Sequence, residues 1–323
     1  MKRNFAGHFG IIVTLLCLFT LICGTDGAAS AVKSALDICG GVILPSLLPF
    51  FFLSGILSAL GFPQLLARRA AGITEKLFHA SGCAAAPLFI GLLGGYPVGA
   101  ACIAELTEKS VIKKEEAERL LPFCNNTGPA FIVGAVGGIF GSVKLGLLLY
   151  GVHILAALCV GLLFAGKAEI STRISSFTLP EVGITAVLPA AVKSSVDKCL
   201  NICGFVIFFS VLSSLLETAG VLTEAALIIN KFFKSDIGFC RCMLGGIMEL
   251  GSGIAGLAAL PPAPESYALA SFILGFGSLS VHCQTLAVVN SAKIKCARHF
   301  AGRIIHGLLS ALFTYWLSSL LRI

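Results

Sequence analysis

Continuous apolar segments alternate with short polar loops along the whole chain. A run of about 20 apolar residues can cross the roughly 30 Å hydrocarbon core of a bilayer as a helix, whereas a membrane β-barrel needs alternating segments of about ten residues. The predicted crossings are residues 9–25, 39–61, 120–140, 143–165, 199–219, 268–290 and 303–321. The pattern therefore predicts an all-α, polytopic helical membrane protein.

Two further apolar segments, residues 82–106 and 239–260, are rich in glycine. Each could cross the membrane, or enter and leave it on one side as a re-entrant hairpin. The hairpin alternative places most of the 23 Lys and Arg residues, Arg303 among them, on the cytoplasmic side, in agreement with the positive-inside rule. We therefore predict two re-entrant hairpins, a cytoplasmic N-terminus and an external C-terminus.

Charged stretches surround these hairpins. Residues 64–78 and 223–233 are amphipathic and predict helices that lie in the membrane interface. Residues 107–119 form the most hydrophilic segment, and we expect a solvated cytoplasmic helix there.

The chain also repeats itself. The sequence Ala31-Val32-Lys33-Ser34 returns at residues 191–194, and the glycine-rich segments and polar clusters follow in the same order in both halves. Because each half contains an odd number of crossings, the repeats are predicted to be inverted. The predicted organisation is an N-terminal transmembrane helix or signal-like segment (1–30), a first repeat (31–166), a linker (167–190) and a second repeat (191–323).

Composition narrows the class of protein. Apolar residues make up 57% of the chain and charged residues 12%, and the mean hydropathy is +0.96, which excludes an ordinary soluble domain. The formal charge of +7 is typical of cytoplasmic loops, and no basic stripe with interleaved aromatics indicates nucleic-acid binding. The 13 cysteines are scattered singly, which argues against a disulfide framework or a metal site. No motif of an intramembrane enzyme is present, so neither catalysis nor a cofactor is expected.

The first hairpin contains a dense group of helix-breaking residues around Tyr96, namely Gly91, Gly94, Gly95, Pro97 and Gly99. Irregular backbone is tolerated at membrane depth only where protein or a water-filled cavity surrounds it. These residues therefore predict a hairpin tip beside a solute site. The alternative is close helix packing through small residues.

A polar cluster interrupts one crossing in each half. Pro129 cannot bond back to the carbonyl of Asn125, so the helix is expected to open near Asn125, Asn126 and Thr127, or to begin only after Pro129. The counterpart in the second half consists of Ser278, Ser280, His282 and Gln284. We predict that the two clusters meet near the midplane and bind the solute.

Two carboxylates were considered for coupling or for the solute pathway. Glu249 is flanked by apolar residues and glycines, where an ionised group is costly without a partner. Glu105 lies near the hydrophilic loop and could equally be an ordinary helix-end residue. The coupling ion, Na⁺ or H⁺, does not follow from the sequence.

Several strings are similar to a known family. These are Gly94-Gly95-Tyr96-Pro97-Val98-Gly99, Cys124-Asn125-Asn126-Thr127-Gly128-Pro129-Ala130-Phe131 and Gly275-Phe276-Gly277-Ser278-Leu279-Ser280-Val281-His282. They resemble the sporulation integral membrane proteins that carry the nucleoside-recognition, or Gate, domain. The resemblance covers roughly residues 31 to 320. It implies a fold similar to the concentrative nucleoside carriers, a spore-forming bacterium, and a location in the cell or forespore membrane.

The resulting functional prediction is a transporter or gated channel for a small polar or anionic solute, with dipicolinate suggested by the resemblance. Abundant hydrogen-bond donors and opened helix ends favour an anion. The alternatives are a nucleoside carrier and a non-transporting assembly protein that recruits partners through residues 107–119. The lipid bilayer is the expected surrounding, and a homo-oligomer is possible.

Overall fold

The computed structural model describes residues 2–166 and 182–321, and all regular secondary structure within these ranges is helical. The first half comprises α1 (Lys2–Cys23), α2 (Thr25–Ala59), α3 (Phe62–Phe78), α4 (Ala85–Gly94), α5 (Val98–Glu108), α6 (Lys114–Cys124), α7 (Ala130–Ile139) and α8 (Val143–Leu163). The second half comprises α9 (Ile184–Thr218), α10 (Val221–Phe233), α11 (Ile237–Met248), α12 (Leu250–Ala258), α13 (Pro264–Phe276), α14 (Ser278–Val289) and α15 (Ala297–Leu321).

From α2 and from α9 onward, the halves repeat the same order: a long helix, a short amphipathic helix, a hairpin, a broken helix and a final helix. Both long helices have 35 residues. They pack antiparallel, with the start of α2 beside the end of α9. A Cβ at Gly24, just before α2, would lie 3.1 Å from the Thr218 side chain, and one at Gly55 would lie 3.7 Å from the Ala191 side chain. Antiparallel packing of equivalent helices is what a two-fold axis in the membrane plane produces. The predicted inverted repeat is confirmed.

Among the described residues, α2, α8, α9, α15 and the pair α13–α14 are long and apolar enough to cross a membrane. The apolar part of α1, Ile11–Ile22, is shorter. The predicted crossings 39–61 and 199–219 coincide with the C-terminal parts of α2 and α9 and end within two residues of them, but they begin too late, since these helices start at Thr25 and Ile184. The predicted boundary at residue 30 therefore falls inside a helix. Residues 184–190 of the predicted linker are helical too, and most of the remainder lies outside the described ranges.

Both glycine-rich segments form the predicted hairpins. In the first, α4 and α5 approach so closely that a Cβ at Gly91 would lie 3.2 Å from Gly99 Cα. In the second, a Cβ at Gly253 would lie 2.5 Å from Gly246 N in the opposite arm. The chain also bends by 101° between Arg68–Phe78 and Gly82–Gly94, where the amphipathic helix α3 meets the first hairpin.

The predicted crossing 120–140 is not one helix. Helix α6 ends at Cys124, residues 125–128 are non-helical, and the chain is helical again from Pro129 into α7. The second half breaks at Gly277 (φ 90°) and Ser278 (φ 55°), between α13 and α14. Both polar clusters thus interrupt their helices, as predicted.

The prediction of a single solvated helix over residues 107–119 was wrong. Helix α5 ends at Glu108 and α6 begins at Lys114, and two charged side chains of α6 point inward. Glu116 accepts a 2.6 Å hydrogen bond from Ser81 N, and Arg119 donates to the carbonyls of His79 and Gly166. These bonds satisfy main-chain groups in neighbouring loops, which accounts for the burial of both charges.

Candidate functional site

A cavity of about 60 Å³ lies where the two hairpin tips and helix elements from both halves meet. Its polar or glycine lining consists of Gly94, Gly95, Tyr96, Thr127, Gly128, Glu249, Ser280 and Gln284. Its apolar lining consists of Ile43, Leu47, Phe131, Ile202, Val206, Leu250 and Val281. A space of this size holds a few water molecules, whereas drug-sized ligands occupy pockets of roughly 300 Å³ or more. Binding of such a solute would require the walls to move apart.

The first hairpin fits closely around the opened helix of its own half. The carbonyl of Cys124, the last residue of α6, lies between Gly91 and Gly99, and a Cβ at either position would overlap with it. At the tip, a Cβ at Gly128 would lie 2.9 Å from Gly95 N. Only glycine permits these backbone contacts. The hairpin tip and the break after Cys124 therefore form one packed unit.

Hydrogen bonds join this unit to the break in the second half. Thr127 Oγ1 donates to the carbonyl of Leu274 at 3.1 Å, and the Tyr96 hydroxyl donates to the same carbonyl at 3.4 Å. A Cβ at Gly277 would lie 2.9 Å from the Tyr96 hydroxyl oxygen. The absence of that Cβ lets Tyr96 reach the second break. The two breaks meet, as the repeat predicted.

Arg303 of α15 is fully buried behind this junction. Its Nη1 donates to the carbonyl of Asn125 at 3.0 Å, to Asn126 Oδ1 at 3.3 Å and to His306 Nδ1 at 2.9 Å. Its Nη2 donates to the Tyr96 hydroxyl and to the carbonyl of Leu274. The guanidinium therefore bonds to the first hairpin tip and to both breaks.

The partners of Arg303 are all neutral, and no carboxylate of the described residues pairs with it. His306 accepts from Arg303 through Nδ1, so its Nε2 carries the proton that is donated to the carbonyl of His153 at 3.1 Å. His153 Nε2 in turn accepts from Thr127 N at 3.2 Å. These contacts fix both imidazoles as neutral acceptors toward their donors, so the local charge is that of Arg303.

Glu249 occupies the tip of the second hairpin, between α11 and α12, and lines the cavity. Its Oε1 accepts from Gly251 N at 2.9 Å, and its Oε2 accepts from Ser252 N at 2.7 Å and from Ser252 Oγ at 2.9 Å. Glu249 is therefore the N-cap of α12, where a carboxylate is favoured by the helix dipole and by unpaired amides. These hydrogen bonds explain how an acidic residue is accommodated among apolar neighbours.

The structure brings half of the predicted site residues to the cavity. Those in its wall are Gly95, Tyr96, Thr127, Ser280, Gln284 and Glu249. Pro97, Asn125, Asn126, Ser278, His282 and Glu105 are outside the wall.

The asparagines form a supporting layer behind the wall. Asn125 Nδ2 donates to Thr285 Oγ1 at 2.9 Å, and Asn126 Oδ1 holds Arg303. Asn125 therefore contacts the second half at Thr285, one residue beyond the predicted cluster member Gln284 on α14.

The remaining residues have other surroundings. Ser278 lies at the start of α14, where its Oγ accepts from Val281 N at 3.5 Å. His282 packs among aromatic rings, with its Nδ1 3.3 Å from Nε2 of His299. Glu105 is exposed and pairs with Lys109 at 2.6 Å. The structure therefore does not bring Glu105 to the candidate site.

Arg303 was not among the predicted site residues; it was predicted to lie on the cytoplasmic side, as the first residue of the crossing 303–321. A signal was present: helix α15 carries the buried polar residues His299, Arg303, His306, Ser310, Thr314 and Ser318. They recur every three or four positions and therefore form one face of a helix. A polar face of this kind on a predicted crossing indicates a buried polar interior in a membrane protein.

Comparison with known proteins is informative at this point. The chain is 31% identical to the "Sporulation integral membrane protein YlbJ" of Bacillus subtilis (strain 168), in an alignment that covers 91% of this chain and 78% of that protein. The chain belongs to the YlbJ family of sporulation integral membrane proteins. No family model matches it.

The fold of this YlbJ-family member is that of a concentrative nucleoside transporter. Structures of CNTnw in an outward-facing state and in an intermediate 1 state superpose with TM-scores of 0.55 and 0.54. Both are 13% identical in sequence; they cover 98% and 97% of this chain, which in turn covers 86% of each of them. The protein is a multi-pass integral membrane protein with a transport-like architecture.

Proposed function

We propose that this YlbJ-family protein transports a small polar or anionic solute through the cavity between its two repeats. The observation that carries the proposal is the composition of the cavity wall, which takes residues from both hairpin tips and polar groups from both halves. Sites at the interface of inverted repeats, lined by broken helices, are typical of secondary transporters. The transporter fold supports the same role.

Charge supports an anionic solute. Glu249 is already engaged by three donors at the start of α12, whereas Arg303 has neutral partners only. The hydroxyl of Ser280 and the amide of Gln284 add donors to the wall. A carboxylate-bearing solute fits this set, and the resemblance of the sequence to sporulation membrane proteins suggests dipicolinate, which is pyridine-2,6-dicarboxylate.

A neutral nucleoside is the second candidate. The carboxylate of Glu249 and the amide oxygen of Gln284 line the cavity and can accept hydrogen bonds from sugar hydroxyls or base amides. The similarity of the fold to CNT structures supports this candidate.

Uptake into proteoliposomes tests the proposal. The purified protein is reconstituted, and uptake and binding of pyridine-2,6-dicarboxylate are compared with those of uridine. Ser280→Ala removes a donor from the cavity wall, and Asn126→Ala removes an acceptor that holds Arg303 behind it. Each should weaken dicarboxylate binding by about 1 to 2 kcal/mol, or roughly 5- to 30-fold in Kd, on the scale of one hydrogen bond that involves a charged group.

Ser291→Ala is the matched control, because Ser291 is exposed in the turn after α14 and its hydroxyl donates to the carbonyl of Val288. Uridine binding that is tighter than dicarboxylate binding and indifferent to both substitutions would favour a nucleoside carrier.

A further inference from the structure

We propose that Arg303 is the group that selects a carboxylate, and that Tyr96 covers it until a solute binds. On binding, the guanidinium exchanges its bond to the Tyr96 hydroxyl for a bond to the solute carboxylate. The inference rests on the proposed function, because it names the residue that would recognise the charge of an anionic solute.

The first step of the argument is position. Tyr96 lines the cavity, and its hydroxyl accepts a hydrogen bond from Arg303 Nη2 on the far side. The guanidinium carbon lies 5.2 Å from the centroid of the Tyr96 ring. One side chain therefore separates the buried cation from the cavity.

The second step is charge. Arg303 is completely buried, its partners are carbonyls, an amide oxygen, a hydroxyl and an imidazole nitrogen, and its Nε has no hydrogen-bond partner among the described residues. A buried cation in a membrane protein normally pairs with an anion, because neutral partners offset its desolvation only in part. A carboxylate arriving in the cavity would supply the missing anion and could form the short, charge-assisted bonds that arginine favours.

The third step is that the exchange leaves the carbonyl of Leu274, at the second break, hydrogen-bonded. The carbonyl of Leu274 accepts from Tyr96 at 3.4 Å, but it also accepts from Thr127 Oγ1 at 3.1 Å. When Tyr96 turns away, Thr127 therefore still holds that carbonyl, and the Tyr96 hydroxyl can be hydrated in the cavity. The residues on either side of this contact, Gly95 and Gly277, carry no side chain that would block the movement.

Binding measurements with two isosteric probes test the inference. Isothermal titration of the purified full-length protein compares pyridine-2,6-dicarboxylate with its neutral diamide. Arg303→Gln should weaken dicarboxylate binding by about 30-fold or more while it changes diamide binding less than about 3-fold, because only the charged probe uses the cation. Arg303→Lys, which keeps the charge without the fork of donors, should fall between the parent and Arg303→Gln.

Arg119→Gln is the control for the loss of a buried arginine. Arg119 also bonds to main-chain carbonyls, but it is remote from the cavity wall. This variant should lower thermal stability and leave the preference for dicarboxylate over diamide unchanged.

Tyr96→Phe distinguishes a role of Arg303 in recognising the solute from a purely structural role. It removes the hydroxyl that competes for Arg303, so dicarboxylate binding should tighten about 3- to 10-fold while diamide binding stays constant. If Arg303 only supports the fold, Tyr96→Phe and Arg303→Gln weaken both probes equally, and the inference is overturned. A parent protein that binds the diamide as tightly as the dicarboxylate overturns the inference together with the anionic form of the proposed function. If the parent protein prefers the dicarboxylate and Arg303→Gln keeps that preference, only the inference about Arg303 is overturned.

Discussion

Gly99→Ala provides a direct test of how the site is built. In the structure the Cys124 carbonyl lies between the arms of the first hairpin, and a methyl group at residue 99 would overlap with that oxygen. The same methyl would lie 2.9 Å from the carbonyl carbon and 3.1 Å from Asn125 Cα, whereas ordinary contact begins near 3.4 Å. All three atoms belong to the backbone, so no flexible side chain can move aside.

The expected cost follows from this geometry. Overpacking a well-packed interior costs about 1 to 3 kcal/mol, and a clash with backbone belongs at or above the upper end of that range. For a chain of this size, each kcal/mol corresponds to roughly 2 °C in Tm. Gly99→Ala should therefore lower the Tm of the purified protein by about 6 °C or more. It should also impair solute uptake, because the hairpin tip is displaced from the break.

Gly245→Ala is the matched control, since it lies in an arm of the second hairpin and a Cβ there meets no atom within 4 Å. Alanine favours a helix over glycine by about 0.5 to 1 kcal/mol, so this variant should melt at the parent temperature or slightly above it. Thermal unfolding in detergent, followed by intrinsic fluorescence, measures both variants. If Gly99→Ala melted within 2 °C of Gly245→Ala, the close fit of the hairpin around Cys124 would be refuted.

Three further predictions concern charge, topology and the junction of the repeats. Glu249→Gln should destabilise the protein by about 1 to 2 kcal/mol, because an amide nitrogen replaces one of the oxygens that cap α12. Glu105→Gln, at the exposed ion pair, is the control and should change stability by less than about 0.5 kcal/mol; thermal unfolding measures both. A cysteine at Ser110, on a background without native cysteines, should be labelled by membrane-impermeant maleimide only from the cytoplasmic side, and labelling from outside alone would contradict the hairpin topology. Cysteines that replace Asn125 and Thr285 should cross-link in the membrane, since their side chains are hydrogen-bonded at 2.9 Å, and failure to cross-link under oxidising conditions would place the two breaks apart.

The sequence predicted the hairpins and the breaks well because their causes are local. Proline and clustered glycines interrupt helices whatever surrounds them, and Pro129 removes a specific bond to residue 125. The helix starts were harder. Residues 25–38 and 184–198 include Lys33, Asp37, Lys193 and Asp197, and hydropathy places such residues outside a crossing. The helices nevertheless continue through them, since a helix of 35 residues is about 52 Å long and extends beyond the hydrocarbon core at its ends.

Arg303 could not be placed by rules that count charges. The positive-inside rule treats an arginine at the edge of an apolar run as a loop residue, and at that level Arg303 resembles Arg298. The structure distinguishes them: Arg298 is exposed, whereas Arg303 is buried and donates to the carbonyls of Asn125 and Leu274. Those carbonyls are free to accept only because the helices open at residues 125 and 277. The burial of Arg303 is therefore a consequence of the breaks, and its position follows only once they are assembled.

The two halves share one backbone plan, but the chemistry of their hairpin tips differs. The first tip presents Tyr96, and the helix that starts there is capped from outside the hairpin by Asn125 Oδ1, which accepts from Ala100 N at 3.4 Å. The second tip presents a carboxylate, Glu249, whose oxygens accept hydrogen bonds from its own helix. Arg303 is in the last helix of the second half, yet most of its bonds reach the first. The cavity consequently has the buried cation of Arg303 behind its wall on the side of the first tip and a capped carboxylate on the other. A solute with its charge at one end would be oriented by this difference, with its carboxylate toward Tyr96 and its polar or apolar end toward Glu249 and Leu250.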